Sequence, residues 1–148
     1  MRDSENAAIV RTARIDDAAA VAQLCGELGY PTTTDAARAR LDGLLASLDH
    51  HLLVAEVAGN VVGLASLLRA RTLHSDDLSV RLSSLVVAST ARGRGIGAML
   101  VAASEEWARE QGAGSLHLTS GSHRPEAHRF YEALAYTADG LRFRRKLR

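Results

Sequence analysis

A single cysteine, Cys25, and two prolines, Pro31 and Pro125, are all that this sequence contains of either residue. One cysteine excludes an intrachain disulfide and leaves a cysteine-based zinc cluster without enough ligands. No apolar run reaches the roughly 20 residues of a membrane-spanning helix, and the first residues carry mixed charge rather than a basic stretch followed by an apolar one. We therefore expect a soluble, cytoplasmic protein with no disulfide, no metal centre and no membrane association.

The chain also lacks a large net charge, because its 18 basic and 17 acidic residues nearly cancel. This balance argues against a general nucleic-acid binder. It hides an asymmetry, since residues 1–80 carry seven arginines against eleven acids and residues 81–148 carry eleven basic residues against six acids. If the two halves line opposite sides of one cleft, the second half favours an anion and the first a cation. Otherwise these are ordinary solvated charges.

The periodicity of apolar residues predicts one domain over residues 1–148, without repeats or linkers. The predicted strands cover residues 9–14, 52–57, 61–68, 78–87, 116–120 and 141–147, and the predicted helices begin near residues 16, 32, 98 and 125. The element order is therefore βααβββαβαβ. Such an order implies an α/β fold with a mixed sheet, antiparallel in its first half and with a strand-turn-helix unit near its middle.

A glycine-rich turn, residues 92–97 (RGRGIG), separates a predicted buried strand from a predicted helix. Glycines at alternate positions let backbone N–H groups and a helix N-terminus point at one spot, which makes an anion site. A Walker A loop is improbable because Ala98, and not a Lys-Ser/Thr pair, follows the last glycine. Gly93, Gly95 and Ala98 satisfy a dinucleotide fingerprint, yet the next predicted strand offers no acidic residue for a ribose. A turn that only tightens a corner would need fewer glycines.

The same turn meets the pattern Gln/Arg-x-x-Gly-x-Gly/Ala through Arg92, Gly95 and Gly97, and here the chain resembles the GNAT family of N-acetyltransferases. Residues 84–100 (SLVVASTARGRGIGAML) look like the family's strand-loop-helix core, and residues 126–136 (EAHRFYEALAY) look like its second signature. The resemblance covers nearly the whole chain and implies a mixed central sheet flanked by helices. It further implies acetyl-CoA as acyl donor, a small-molecule amine as partner and, since the family is often dimeric, a homodimer.

Ten positions receive a role from this resemblance. Backbone amides of the turn would hold the pyrophosphate of acetyl-CoA, the end of the preceding strand would pair with the pantetheine arm, and a tyrosine would protonate the leaving thiolate. The pyrophosphate residues are Arg92, Gly93, Arg94, Gly95, Ile96 and Gly97, the arm residues are Leu85, Val86 and Val87, and the proton donor is Tyr131. An N–H near Val87 would also donate to the thioester oxygen as it gains charge.

The sequence departs from the family at the position of the general base. Many members carry a glutamate on the strand before the turn, where this chain has Ser83 and Ser84. No side-chain base is therefore assigned, and water or a substrate bound in its neutral form would suffice.

The resulting interpretation is direct transfer of an acetyl group from acetyl-CoA to a primary amine of a small cationic molecule. A non-catalytic acyl-CoA-binding or regulatory module is one alternative, and a nucleotide-binding or nucleic-acid-binding adaptor is another.

Overall fold

The computed structural model describes residues 7–120 and 124–148. The strands are β1 (Ile9–Thr12), β2 (His50–Val57), β3 (Asn60–Ala70), β4 (Leu78–Val87) and β5 (Ala113–His117), and the helices are α1 (Ala18–Glu27), α2 (Thr34–Ala46), α3 (Ile96–Glu110) and α4 (Pro125–Ala133). Two compact units divide the chain, the first ending at His117 and the second beginning at Leu118. No helix in the described stretches is long and apolar enough to cross a membrane.

The five strands form one sheet in the first unit, in the order β1-β2-β3-β4-β5. Strands β1 to β4 are antiparallel to their neighbours, whereas β5 runs parallel to β4. A parallel pair needs a crossover connection, and α3 supplies it. The predicted mixed α/β fold, antiparallel in its first half, is confirmed.

Helices pack on both faces of this sheet. Helices α1 and α2 contact one face, where the apolar stripe of α1 joins buried side chains of three strands. That cluster contains Ala13, Ala18, Val21, Ala22, Leu24, Ala37, Leu41, Leu52, Val54, Leu64 and Val86. Helix α3 packs on β3, β4 and β5 and buries Ile96, Leu100 and Val101. Strand β3 is covered on both sides, and its residues Gly63, Leu64 and Ala65 are buried at successive positions, as a strand covered on both faces requires. The middle of β4 alternates instead, with Val80 and Leu82 buried and Arg81 and Ser83 exposed.

Four acids of the first unit are engaged by arginines. Arg11 bonds both Asp17 and Glu56, while Arg69 lies 3.3 Å from Asp49. A fourth contact joins Arg38 and Asp35 at 3.5 Å on the surface of α2. The three arginines belong to residues 1–80 themselves, so these ion pairs leave the net charge of that half unchanged.

The predicted last strand, residues 141–147, is wrong. Residues 141–148 belong to no strand or helix, and Leu141, Phe143 and Leu147 are 86–89% exposed. An alternating apolar pattern forms a strand only where another strand offers hydrogen-bond partners. Among the described residues of the second unit, α4 is the only regular element, so this segment has no strand there to pair with.

The turn between β2 and β3 has an unusual backbone at an alanine. Ala58 and Gly59 both have positive φ, 50° and 80°. A two-residue hairpin turn of this type favours Asn-Gly, because a Cβ in the left-handed region is strained. We expect Ala58→Asn to raise the free energy of unfolding by about 0.5–1 kcal/mol, measured by urea denaturation.

Ala102 provides the opposite control for that prediction, because it is an exposed residue inside α3 with ordinary helical backbone. Ala58→Gly should be neutral or stabilising, whereas Ala102→Gly should cost about 1 kcal/mol. A loss of stability in both Ala58 variants would contradict the strain assigned to this turn.

Candidate functional site

The glycine-rich turn places two left-handed glycines immediately before helix α3. Gly93 and Gly95 have φ values of 80° and 75°, and Gly95 is the N-cap of the helix. No side chain caps this helix end, and no acidic residue lies in its first turn. The first N–H groups of an α-helix have no partner within the helix, and they carry its positive end. An anion is the ligand that this arrangement binds best.

A close helix-to-sheet contact fixes the turn in place. Ile96, the first residue of α3, is 1% exposed, and a Cβ built on Gly63 of β3 would lie 3.3 Å from its Cγ2 and 3.0 Å from Cδ1 of Leu100. Gly63 pairs with Val87 at the end of β4. The absence of a side chain at Gly63 therefore lets the N-terminal turn of α3 approach the strand end. Sequence reasoning gave this glycine no role, since its partner residues lie more than thirty positions away.

The second half of β4 has an open edge. Strand β4 pairs with β5 only over residues 78–81, and within the described part of the first unit no strand pairs with residues 82–87 on that side. The N–H of Ala88 donates to the carbonyl of Val62 at 2.7 Å, so by alternation the backbone of Val86 also faces β3. The N–H and C=O groups of Leu85 and Val87 therefore face the open edge.

Because of this alternation, only two of the three residues predicted to pair with a pantetheine arm have backbone groups on the open edge. Leu85 and Val87 can offer backbone groups to an added strand, whereas Val86 uses its own backbone within the sheet and its side chain in the core. The side chain of Arg92 folds back over the same edge, where its Nε–H donates to the carbonyl of Val87 at 3.3 Å. Arg94 is exposed. The structure thus brings nine of the ten predicted positions together at one end of β4.

Glu27 also reaches this end of the sheet, from the last turn of α1. Its Oε1 accepts a hydrogen bond from the N–H of Ser89 at 2.9 Å, across 62 residues of sequence. That bond and the nearby charge of Arg92 lower the pKa of Glu27. A shallow cleft of about 170 Å³ lies beside it, lined by residues of α1, by the start of β3 and by residues 88–90, which follow β4. Sequence reasoning assigned Glu27 no role, because nothing local indicates its distant partner.

A β-bulge interrupts β4 near the start of its open edge. Ser66 pairs with Ser84 and Leu67 with Leu82, so Ser83 is the extra residue. Its hydroxyl lies 2.7 Å from Oγ of Ser66 and donates to the carbonyl of Ser66 at 3.1 Å. Bulges re-aim side chains and end strand pairing, and they are frequent beside active sites. Ser83 stands where a family glutamate was expected, and its hydroxyl is occupied by Ser66.

Tyr131 lies in the second unit, in helix α4. Its ring makes edge-to-face contacts with Phe130 and Tyr136, with centroids 5.1 and 5.8 Å apart. Burial raises the pKa of the Tyr131 phenol, against a smaller opposing effect of Arg124. The phenol is therefore protonated throughout the physiological pH range, as a proton donor must be. It is the one predicted site residue outside the first unit.

Comparison with known proteins agrees with this geometry. The model of the Acetyltransferase (GNAT) family matches residues 17–136. An aminoalkylphosphonate N-acetyltransferase of Salmonella typhimurium is 37% identical over 109 residues, which are 72% of this chain and 71% of the relative. An uncharacterised N-acetyltransferase of Bacillus subtilis, YhfO, is 31% identical over 134 residues, 88% of this chain and 90% of its own.

Two solved structures show the same fold. A GNAT family acetyltransferase of Staphylococcus aureus superposes with a TM-score of 0.80 at 25% identity, over 95% of this chain and 98% of that one. The aminoglycoside N-acetyltransferase AAC(6')-Iy, solved in complex with CoA, superposes with a TM-score of 0.84 at 19% identity, over 96% of each chain.

Proposed function

Since the chain belongs to the GNAT family of acetyltransferases, we propose that it transfers an acetyl group from acetyl-CoA to the primary amine of a small molecule by direct attack. The chain is an acyltransferase, and acetyl-CoA is the standard donor of its family. The observation that carries the proposal is the open edge of β4, which leads directly into the two left-handed glycines at the N-terminus of α3. One family match over residues 17–136 supports a single acyltransferase domain across both units.

The donor would bind along two backbone surfaces. The pyrophosphate accepts hydrogen bonds from N–H groups of residues 92–97, where the helix end favours negative charge. The pantetheine arm adds to the open edge as an extra strand and pairs with the backbone of Leu85 and Val87. The thioester carbonyl then lies within reach of an N–H donor on this edge. Such a donor stabilises the oxygen most strongly when it becomes an oxyanion, which lowers the barrier to attack.

The reaction itself forms one bond and breaks another. The neutral amine nitrogen attacks the thioester carbon, the N–C bond forms and the C–S bond breaks, so CoA leaves as a thiolate. The amine loses a proton to water, and the thiolate gains one from a donor. Thiol and phenol have ordinary pKa values near 8.5 and 10, so proton transfer from a tyrosine is nearly balanced and position decides its rate.

We assign the proton donor to Tyr131, from the match of residues 126–136 to the family signature. Tyr131→Phe removes the hydroxyl and keeps the ring contacts with Phe130 and Tyr136. We expect kcat to fall about tenfold to a hundredfold with the Kd of acetyl-CoA unchanged, because only protonation of the leaving group is lost. Thiol release under saturating acetyl-CoA measures the first quantity, and calorimetry measures the second.

Tyr136→Phe is the matched control, because it removes a hydroxyl from the neighbouring ring of the same cluster. Its kcat should stay within about twofold of the original chain. Equal losses in the two variants, or an unchanged kcat in Tyr131→Phe, would remove Tyr131 from this role.

The acceptor is proposed as a small primary amine. The acidic excess of residues 1–80 favours a molecule that is cationic before its amine is deprotonated, although Asp17, Glu56, Asp35 and Asp49 are already paired with arginines. The name of the Salmonella relative makes an aminoalkylphosphonate a further candidate. A small cationic amine and an aminoalkylphosphonate both carry the nucleophilic nitrogen that the reaction needs.

Thermal unfolding with acetyl-CoA, CoA, NAD and ATP in parallel tests the proposal. At 100 times its Kd, a bound ligand stabilises the native state by about 2.7 kcal/mol, which raises the Tm by about 5–10 °C. We expect this shift with acetyl-CoA and CoA only, followed by thiol release when amines are added. A shift with NAD or ATP alone would contradict the donor site. Binding of acetyl-CoA without thiol release to any amine would favour a non-catalytic acyl-CoA-binding module.

A further inference from the structure

A row of two histidines, a leucine and an arginine crosses the sheet at the point where β4 and β5 separate. His50, Leu68, Arg81 and His117 are register partners on β2, β3, β4 and β5. Register partners point their side chains to the same face of a sheet. On β2 this face continues through Leu52 and Val54 into the core under α1 and α2. The row therefore lies on the face that those helices cover, beyond the end of their apolar cluster.

Arg81 and His117 form the last pair before the open edge begins. Beyond them, residues 82–87 of β4 have no partner strand on that side within the described first unit. Those six residues span about 20 Å at the rise of a β-strand. An arm that enters at the glycine-rich turn and follows this edge comes to its end at the Arg81–His117 pair. The reacting carbon of the donor is thereby brought beside these two side chains.

Hydroxyl groups and the guanidinium of Arg81 lie at this point, and no described carboxylate forms an ion pair with that guanidinium. Ser83 and Ser66 lie 2.7 Å apart next to Arg81, and Ser79 Oγ lies 3.1 Å from Nδ1 of His117. Arg81 is exposed, and within residues 7–120 and 124–148 no acidic side chain forms an ion pair with it. We call Ser66, Arg81, Ser83 and His117 the apex cluster.

An unpaired guanidinium presents a planar fork of N–H donors, which fits a carboxylate, phosphate or phosphonate group through two parallel hydrogen bonds. Nε2 of His117 is a further polar group of the same cluster, whereas the hydroxyl of Ser83 is engaged by Ser66. A second ammonium group placed here would be repelled by Arg81. The cluster thus distinguishes amines by their second functional group, and it favours an anionic group over an ammonium group.

Resting on the function proposed above, we infer that the apex cluster is the acceptor-specificity site, and that the acceptor is a short amine bearing an anionic group. Arg81 binds that anionic group and holds the amine beside the thioester at the open edge. The inferred acceptor is therefore zwitterionic, in place of the small cationic molecule that the acidic first half of the sequence favoured. A phosphonate and a carboxylate share the chemistry that Arg81 recognises.

Four amines of similar length test the inference: 2-aminoethylphosphonate, 3-aminopropanoate, ethanolamine and 1,3-diaminopropane. We expect kcat/KM for one of the two anionic amines to exceed that for ethanolamine at least tenfold. Arg81→Gln should lower that kcat/KM by about ten- to a hundredfold, mainly through KM, and by a larger factor than it lowers the kcat/KM of ethanolamine. Arg81→Lys should retain part of the preference, because its charge persists without the planar fork.

Arg109→Gln is the matched control, because it removes the same charge from an exposed position on α3. The side of α3 that packs on the sheet carries Ile96, Leu100 and Val101. Arg109→Gln should change none of these values. The inference is overturned if ethanolamine or the diamine is the best acceptor, or if Arg81→Gln lowers turnover of all four amines equally.

Failure of the proposed function has a different signature. If acetyl-CoA binds and none of the four amines releases thiol, the transfer reaction itself is in question. Calorimetric titration of 2-aminoethylphosphonate and 3-aminopropanoate into the CoA complex then reports on the apex cluster without turnover. Binding that Arg81→Gln weakens at least tenfold supports the specificity site, and no binding to the original chain overturns it.

Discussion

Gly95→Val should weaken acetyl-CoA binding by about a thousandfold. Gly95 has a φ of 75° and is the N-cap of α3. A β-branched residue is a strong outlier in that conformation, so the turn must change and its N–H groups lose their common direction. Loss of two charge-assisted hydrogen bonds, each about 1.5–3 kcal/mol, corresponds to a loss of this size. Calorimetric titration with acetyl-CoA measures it.

The other end of the same helix provides the control. Gly112 follows α3, has a φ of 77° and, like Gly95, has no atom within 4 Å of a Cβ built on it. The two glycines lie about 22 Å apart, the length of the helix between them. Gly112→Val therefore carries similar backbone strain, and both variants should lose roughly 1–2 kcal/mol of stability. Equal affinity for acetyl-CoA in both variants would contradict an anion site at the N-terminus of α3.

Asp17→Ala should lower the free energy of unfolding by about 3–5 kcal/mol and the Tm by about 10 °C. Asp17 is 6% exposed, and its carboxylate accepts two hydrogen bonds from Arg11, at 2.8 and 2.9 Å, and one from the N–H of Arg14 at 2.7 Å. Arg11 also donates to Glu56 at 2.7 Å. Without Asp17, the strand β1 and the start of α1 lose their common polar contact and Arg11 keeps only one partner.

An exposed ion pair on α3 provides the control for Asp17→Ala. Glu106 and Arg109 lie 3.7 Å apart on α3, and both side chains are more than 60% exposed. Glu106→Ala should change stability by no more than about 0.5 kcal/mol, because water screens this contact. A similarly small effect of Asp17→Ala would show that the pair with Arg11 does not stabilise the fold.

The same carboxylate gives a pH dependence. The hydrogen bonds from Arg11 lower the pKa of Asp17, against an opposing effect of burial. A carboxylate whose pKa is lowered by folding stabilises the protein at any pH above its ordinary pKa, which is about 3.9 for aspartate. That contribution is lost as the pH falls below this value. The original chain should therefore lose stability more steeply than Asp17→Asn as the pH falls below about 4. Parallel curves would contradict this assignment.

Local patterns in the sequence were sufficient wherever the controlling contacts lie close together in the chain. The apolar spacing that predicted α1, the hairpin of β2 and β3, and the buried end of β4 reports on one element at a time. The glycines at positions 93 and 95 indicate left-handed backbone before a helix, and both have positive φ. An anion site after β4 was for these reasons predictable, and so was the family.

The predicted last strand, in contrast, failed because pairing is not a property of one segment. Residues 141–147 alternate apolar and basic side chains, yet the second unit offers them no strand partner among its described residues. Likewise, the predicted role of Val86 in holding the donor depended on which way its backbone faces. The bond from Ala88 to Val62 decides that, and it joins two strands.

The sequence by itself determined the helices, the strands of the first unit, the glycine-rich turn and the donor chemistry, because helical and strand periodicity and a positive φ are encoded within a few neighbouring residues. Only the tertiary structure decided that β4 keeps an open edge beyond Arg81, that Ser83 forms a bulge against Ser66, and that Arg81 and His117 meet where the two strands separate. Each of these depends on register between strands, and register is set by packing of the whole sheet rather than by any one segment.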